Sequence, residues 1–111
     1  MSKRLLEIVQ KARKRWGMVD DGSSYICDRI WDQLNTSKCP EYKILTGFVN
    51  EQIGGRGYAQ DFALGLPEGE HVAMYDLDDE ELEIVKNFRI QLWDKLEAFA
   101  AAHEEAENDQ G

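Results

Sequence analysis

The apolar residues of this chain recur at helical spacing in four separate stretches. Residues three and four positions apart share one face of an α-helix, so this spacing indicates amphipathic helices. It predicts helices over residues 3–16, 24–34, 40–53 and 78–103, and therefore an all-α fold. The apolar positions are Leu5, Ile8, Val9, Ala12 and Trp16; Ile26, Cys27, Ile30, Trp31 and Leu34; Ile44, Leu45, Phe48, Val49 and Ile53; and Leu82, Val85, Phe88, Leu92, Trp93, Leu96 and Phe99.

Residues that start or stop helices stand at the ends of these stretches. Gly17 and Gly54-Gly55 are predicted to end the first and third helices, because glycine tolerates the left-handed conformation of a helix end. Pro40 suits the first turn of the third helix, where its missing N–H costs nothing. Asp78 is predicted to cap the last helix, with Glu81 as its capping-box partner three residues later.

Residues 54–77 have no periodic pattern and are interrupted by glycines and a proline, which predicts an ordered irregular loop. Tyr58, Phe62, Leu64 and Leu66 are apolar enough to hold one short helical turn on the core. Residues 1–103 are predicted to form a single helical domain. The polar residues 104–111 are predicted to be a disordered acidic tail.

The predicted last helix is long for a domain of this size. At about 1.5 Å per residue it would span about 39 Å. Twice the radius of gyration expected for such a domain is about 26 Å. We therefore expect its end to project from the body or to pack on another copy of the chain.

The charges of the chain are sorted along its length. Residues 1–15 hold six of the 13 Lys and Arg residues and one acid, Glu7, whereas residues 57–85 hold nine acids and no Lys or Arg. The net charge is −9, which makes binding to duplex DNA unfavourable because phosphates would meet a negative field. This sorting indicates electrostatic recognition of another molecule.

The acidic flank before and within the last helix is the first candidate site. Its acids would bind a basic surface on a partner protein, and they would also cap the helix and keep the chain soluble. Such acids can imitate nucleic-acid phosphates. The basic first helix could instead meet the acidic flank of a second copy, which would form a homo-oligomer through the first or last helix. The candidate partner-binding residues are Asp76, Asp78, Asp79, Glu80 and Glu83.

The glycine-rich stretch after the third helix is an alternative candidate site. Backbone N–H groups of such a loop can hold an anion, and an arginine can bind a phosphate through two hydrogen bonds. The competing interpretation is a helix C-cap followed by a tight turn. The candidate ligand-binding residues are Gly54, Gly55, Arg56, Gly57, Tyr58 and, as a stacking partner, Tyr25.

No pattern in the chain predicts catalysis, a metal site or a cofactor. Cys27, Cys39, His71 and His103 are scattered and lack the spacing of metal ligands. The cysteines are predicted to be reduced and packed. No apolar run approaches the length of about 20 residues that a membrane span needs, and no secretory signal is apparent. These features predict a non-enzymatic cytoplasmic protein.

Four motifs are shared with a known group of proteins. They are the basic amphipathic helix from Leu5 to Trp16, the step Tyr25-Ile26-Cys27, the turn Ile53-Gly54-Gly55, and a last helix that carries Arg89, Leu92, Trp93, Asp94 and Leu96. In this layout the chain resembles a family of small uncharacterised phage and prophage proteins. It departs from that family at residues 58–76, where Phe62-Ala63-Leu64-Gly65-Leu66 replaces a Leu–x–x–Trp–Leu step.

The resemblance implies a viral accessory protein in a bacterial host cell, a context in which small acidic proteins often disable a host defence factor. The first hypothesis is therefore that the chain inhibits a host defence or nucleic-acid-processing protein through its acidic surface. The second is an oligomer that traps a nucleotide signal with the Gly54–Gly57 loop and Arg56. The third is a structural or assembly component of a virion.

Overall fold

The computed structural model describes residues 4–17, 26–56 and 58–110, except for the side chains at 4, 15–17, 74 and 104–110. Over these residues the backbone forms five α-helices and one 3₁₀ turn, and no strand. The helices are α1 (Arg4–Gly17), α2 (Ile26–Leu34), α3 (Pro40–Gln52), α4 (Ala59–Ala63) and α5 (Asp79–Gln110), and the 3₁₀ turn covers Met74–Asp76. The predicted all-α fold is confirmed.

Local signals set the ends of several helices. Pro40 occupies the first turn of α3, and α3 ends in Gly54 and Gly55, whose φ angles are 63° and 75°. The Gly55 N–H donates to the Asn50 carbonyl over 2.8 Å and the Gly54 N–H to the Glu51 carbonyl over 3.2 Å, which together form a Schellman motif. The predicted start of the second helix at residue 24 lies outside the described residues.

The last helix is longer than the sequence predicted. The helix continues to Gln110, whereas the prediction ended it at 103 and made 104–111 a disordered tail. Residues 104–107 read Glu-Glu-Ala-Glu, which are good helix formers, and no glycine or proline lies between Asp79 and Gln110. A helix of 32 residues is about 48 Å long, which matches the longest dimension of the molecule, 48 Å against 29 and 23 Å for the other two.

The core lies between α5 and the first three helices. α5 contacts α1, α3 and α4, and α2 packs on α1 and α3. Burying each large apolar side chain contributes about 1.5–3 kcal/mol, so these contacts supply most of the stability. The largest fully buried side chains are Trp93, Ile26, Ile30, Leu45, Ile53, Leu92, Leu96, Val9, Val49 and Val85.

Two residues predicted for the apolar faces are substantially exposed. Trp31 is 41% exposed and meets the edge of Tyr42, with ring centroids 6.0 Å apart. Leu82 is 36% exposed in the first turn of α5. Both residues stand at the margin of their helix faces, where spacing alone cannot distinguish a buried position from an edge position.

Candidate functional site

The acidic flank lies at the start of α5 and in the 3₁₀ turn before it. Asp78 and Glu81 form the predicted capping box: the Glu81 N–H donates to Asp78 Oδ1 over 2.8 Å, and the Asp78 N–H donates to Glu81 Oε1 over 3.1 Å. These two acids therefore stabilise the helix end. The predicted cap is thus present, and the prediction that Asp78 also binds a partner stays a prediction.

The other acids of the flank are exposed, and they lie within eight positions of the chain. Asp79 and Glu83 are one helical turn apart on α5, Glu80 lies between them, and Asp76 ends the preceding 3₁₀ turn. Within the part of the chain that the structure describes, no hydrogen bond or ion pair engages these four carboxylates. Four exposed negative charges thus have no partner among the described residues.

An exposed tyrosine directly precedes these acids in the sequence. The sequence analysis did not identify this residue. Tyr75 is 89% exposed, the highest exposure among the large apolar side chains of the described residues. It occupies the 3₁₀ turn directly before Asp76. Ile84, which is 45% exposed, follows Glu80 by one turn of α5. We name Tyr75, Asp76, Asp79, Glu80 and Glu83 the docking surface.

The basic first helix has its charges engaged differently. Arg13 Nη1 donates to Asp94 Oδ1 over 2.7 Å and to Glu97 Oε1 over 3.0 Å, which joins α1 to α5. Burial lowers the pKa of the Arg13 guanidinium, but the hydrogen bonds and charges of the two carboxylates leave it raised on balance. Lys11 pairs with Glu7 one turn earlier over 3.6 Å.

The glycine-rich loop has its own hydrogen-bond partners. Beyond the two bonds of the Schellman motif, the Arg56 N–H donates to the Ile53 carbonyl over 3.1 Å, and Arg56 Nη1 donates to the Leu66 carbonyl over 2.5 Å. The backbone donors proposed to hold an anion are therefore engaged with α3, and the guanidinium bridges two loops. Tyr25 and Gly57 lie outside the described residues, and the Tyr58 ring packs on His71 with centroids 4.4 Å apart.

A cluster of polar side chains is buried between α4, α5 and the loop that follows α4. Gln60 and Asp61 are each 4% exposed and Arg89 is 5% exposed. Asp61 Oδ2 lies 2.9 Å from His71 Nδ1, and Arg89 Nη2 donates to Gln60 Oε1 over 3.4 Å. Sequence reasoning missed this cluster, because Gln60 and Asp61 look like ordinary residues of a polar loop.

The Asp61–His71 pair has the geometry of a carboxylate that orients an imidazole. A carboxylate only accepts hydrogen bonds, so His71 Nδ1 carries the proton of this contact, on a side chain that is 48% exposed. A catalytic triad also needs a nucleophile bonded to that imidazole. Within residues 26–56 and 58–103, no hydroxyl or thiol forms such a bond. The described residues therefore do not complete a triad at this pair.

Other classes of site have little support among the described residues. No group of three or more His, Cys, Asp or Glu side chains there is arranged to hold a metal ion. No helix in the described part of the chain is both long enough and apolar enough to cross a membrane. A groove of about 160 Å³ lies between α1 and α2, below the roughly 300–1,000 Å³ of small-molecule sites. Cys27 is buried and Cys39 is half-buried, and neither forms a disulfide among the described residues.

Comparison with known proteins adds no relative: no family model, curated protein or solved structure matches the chain.

Proposed function

We propose that this chain is a non-enzymatic binding protein that engages a basic surface of another protein through its docking surface. The observation that carries the proposal is Tyr75, an almost fully exposed aromatic side chain beside four carboxylates that have no partner among the described residues. An exposed tyrosine of this kind is a typical anchor of protein interfaces. In this setting the acids supply attraction and Tyr75 supplies apolar contact area.

Arginine fits this surface better than lysine. A guanidinium stacks on a tyrosine ring and pairs with a carboxylate through two parallel hydrogen bonds, whereas an ammonium is a compact point charge. Tyr75, Asp76 and Glu80 offer both kinds of contact within six positions of the chain, from the 3₁₀ turn to the first turn of α5. The proposed partner surface is therefore rich in arginine, as in proteins that bind nucleic-acid phosphates.

The proposed biological role follows from the resemblance to small phage proteins. In that role the chain occupies the phosphate-binding surface of a host defence or nucleic-acid-processing protein and inhibits it. The acids of α5 then take the place of phosphates. Virion assembly and nucleotide capture are weaker alternatives. Nucleotide capture is weaker because the hydrogen-bond donors of the Gly54–Arg56 turn are already bonded within the chain.

A pair of matched charge reversals tests the proposal. The test variant carries Glu80→Lys and Glu83→Lys, and the control carries Asp28→Lys and Glu51→Lys, which change the net charge equally at exposed sites on α2 and α3. Both variants and the unmodified chain are used to capture proteins from bacterial lysate, with quantification by mass spectrometry. We expect a protein that the unmodified chain and the control retain and that the test variant loses by at least about tenfold.

The captured protein is then purified and assayed for its own activity. We expect inhibition by the unmodified chain and by the control, and a sharp loss of inhibition with the test variant or with Tyr75→Ala. Tyr75→Phe keeps the ring and should retain most of the affinity. Equal capture by the test and control variants would contradict the proposal, because the acids of the docking surface would then have no special role.

A further inference from the structure

The segment that carries Tyr75 is anchored to the body on both sides. On one side, Val72 lies against α4, and both of its backbone polar groups are bound by buried side chains. The Val72 N–H donates to Asp61 Oδ1 over 3.0 Å, and Gln60 Nε2 donates to the Val72 carbonyl over 3.2 Å. On the other side, Leu77 is buried, with 9% exposure. Tyr75 lies between these two anchors.

The two side chains that bind Val72 are themselves held in place. Asp61 contacts His71 Nδ1 with its second oxygen, and Gln60 accepts a hydrogen bond from Arg89 of α5 with its amide oxygen. Burying polar groups is costly unless they are hydrogen-bonded, and such groups stabilise one another when the network is complete. Gln60 and Asp61 are both hydrogen-bonded in this way. The network therefore offsets the cost of burying them and holds them in one position.

The 3₁₀ turn begins two residues after the anchored residue Val72. The Asp76 N–H donates to the Ala73 carbonyl over 3.0 Å, and Ala73 follows Val72 directly. We infer that Gln60 and Asp61 are positioning residues for the docking surface, a role that rests on the proposed function. By holding Val72, they place Tyr75 and Asp76 before a partner arrives, so that binding does not have to order this segment.

Hydrogen exchange tests the anchoring without any partner. In Asp61→Leu the core stays filled but the acceptor for Val72 is lost, whereas Asp61→Asn keeps a carbonyl oxygen. We expect the Val72 and Asp76 amides to exchange at least about tenfold faster in Asp61→Leu and near the unmodified rate in Asp61→Asn. The amides of Leu92 and Trp93 report global unfolding. If Asp61→Leu does not fold, Gln60→Met removes the other bond to Val72.

Binding of a hexa-arginine peptide tests the consequence. We expect Asp61→Leu to lower the affinity several-fold with an unchanged dependence on salt, because every docking-surface acid is still present. Asp61→Asn should restore it. By contrast, Glu80→Lys with Glu83→Lys should flatten the salt dependence.

The outcomes separate the inference from the proposed function. Unchanged exchange at Val72 in both Asp61→Leu and Gln60→Met would overturn the anchoring. Faster exchange with unchanged peptide affinity would overturn the positioning role while leaving the docking surface intact. Failure of the unmodified chain to bind the peptide would overturn the proposed function, and the positioning role with it, whatever the exchange shows.

Discussion

The basic helix α1 and the acidic docking surface are both dense in charge, of opposite sign. Their charges are engaged differently in the structure. Arg13 is partly buried and bonded to Asp94 and Glu97, whereas the docking-surface acids face solvent with no partner in the described part of the chain. Charge that is engaged within the fold contributes to stability, and charge left at the surface is available for binding. In the described residues, Arg13 therefore belongs to the contacts that hold α1 on α5, whereas the docking-surface acids have no such contact.

Distance along α5 explains why the two regions do not neutralise each other. Glu80 and Asp94 are separated by 14 positions in sequence, or about 21 Å of helix. Solvent-exposed charges are largely screened beyond about 8 Å at physiological ionic strength. Arg13 therefore neutralises the acids in the middle of α5 and leaves those at its start unaffected.

The largest expected effect comes from opening the apolar core that α5 forms with α1. Leu96 is completely buried in the core cluster that α5 forms with α1. Leu96→Ala should lower the free energy of unfolding by about 2–5 kcal/mol, because the smaller side chain leaves a cavity. Denaturant unfolding measures this change. Lys95→Ala, at the exposed neighbouring position, is the control, and equal losses for the two variants would contradict the assignment of this contact to the core.

The ion pairs of Arg13 with Asp94 and Glu97 should contribute less to the free energy of unfolding than the buried core does. Arg13→Ala is expected to lower the free energy of unfolding by about 1 kcal/mol, because the pairs are partly exposed to water. Glu97 is 32% exposed and Asp94 is 63% exposed, so Glu97→Gln should cost more than Asp94→Asn. Double-mutant cycles measure each pairing. A zero coupling for Glu97 would show that α1 is not held by these charges.

Within the acidic flank itself, stability and binding should separate. Asp78→Ala removes the side-chain cap of α5 and should lower the free energy of unfolding by about 1 kcal/mol. Glu83→Gln removes an exposed charge with no described partner and should change the stability by less than about 0.5 kcal/mol while weakening capture of the partner. Thermal unfolding and the capture assay are measured on both variants. A stability loss for Glu83→Gln as large as that for Asp78→Ala would remove the distinction between capping and docking acids.

The smallest effect is confined to alkaline pH and lies away from both charged regions. Burial raises the pKa of Tyr42, and the nearby Cys27 and Asp28 raise it further. The unfolded chain therefore ionises this phenol first, near its usual pKa of about 10, and the folded state loses stability as the pH rises through that value. Tyr42→Phe should remove this part of the alkaline loss. Unfolding curves from neutral pH to about pH 11 that fall in parallel for both proteins would contradict it.

The features predictable from sequence are those whose partners lie within a few residues. The Asp78–Glu81 capping box and the end of α3 at Gly54-Gly55 depend on side chains and backbone groups no more than five positions apart. The docking acids lie in one short run of the sequence, and their role in binding stays a prediction. The predicted end of the last helix, at residue 103, fell short of the observed end at Gln110. The polar composition suggested a disordered tail, although Glu and Ala favour helix.

The chain by itself therefore determined four helical stretches, their caps and the sorting of charge, because these depend on local spacing and residue type. Only the tertiary structure decided which charges are engaged and which are available. Arg13 meets Glu97 across 84 positions, and Asp61 binds Val72 across 11. Such contacts depend on how the helices pack, and packing also left Tyr75 exposed beside the acids, where it defines the docking surface.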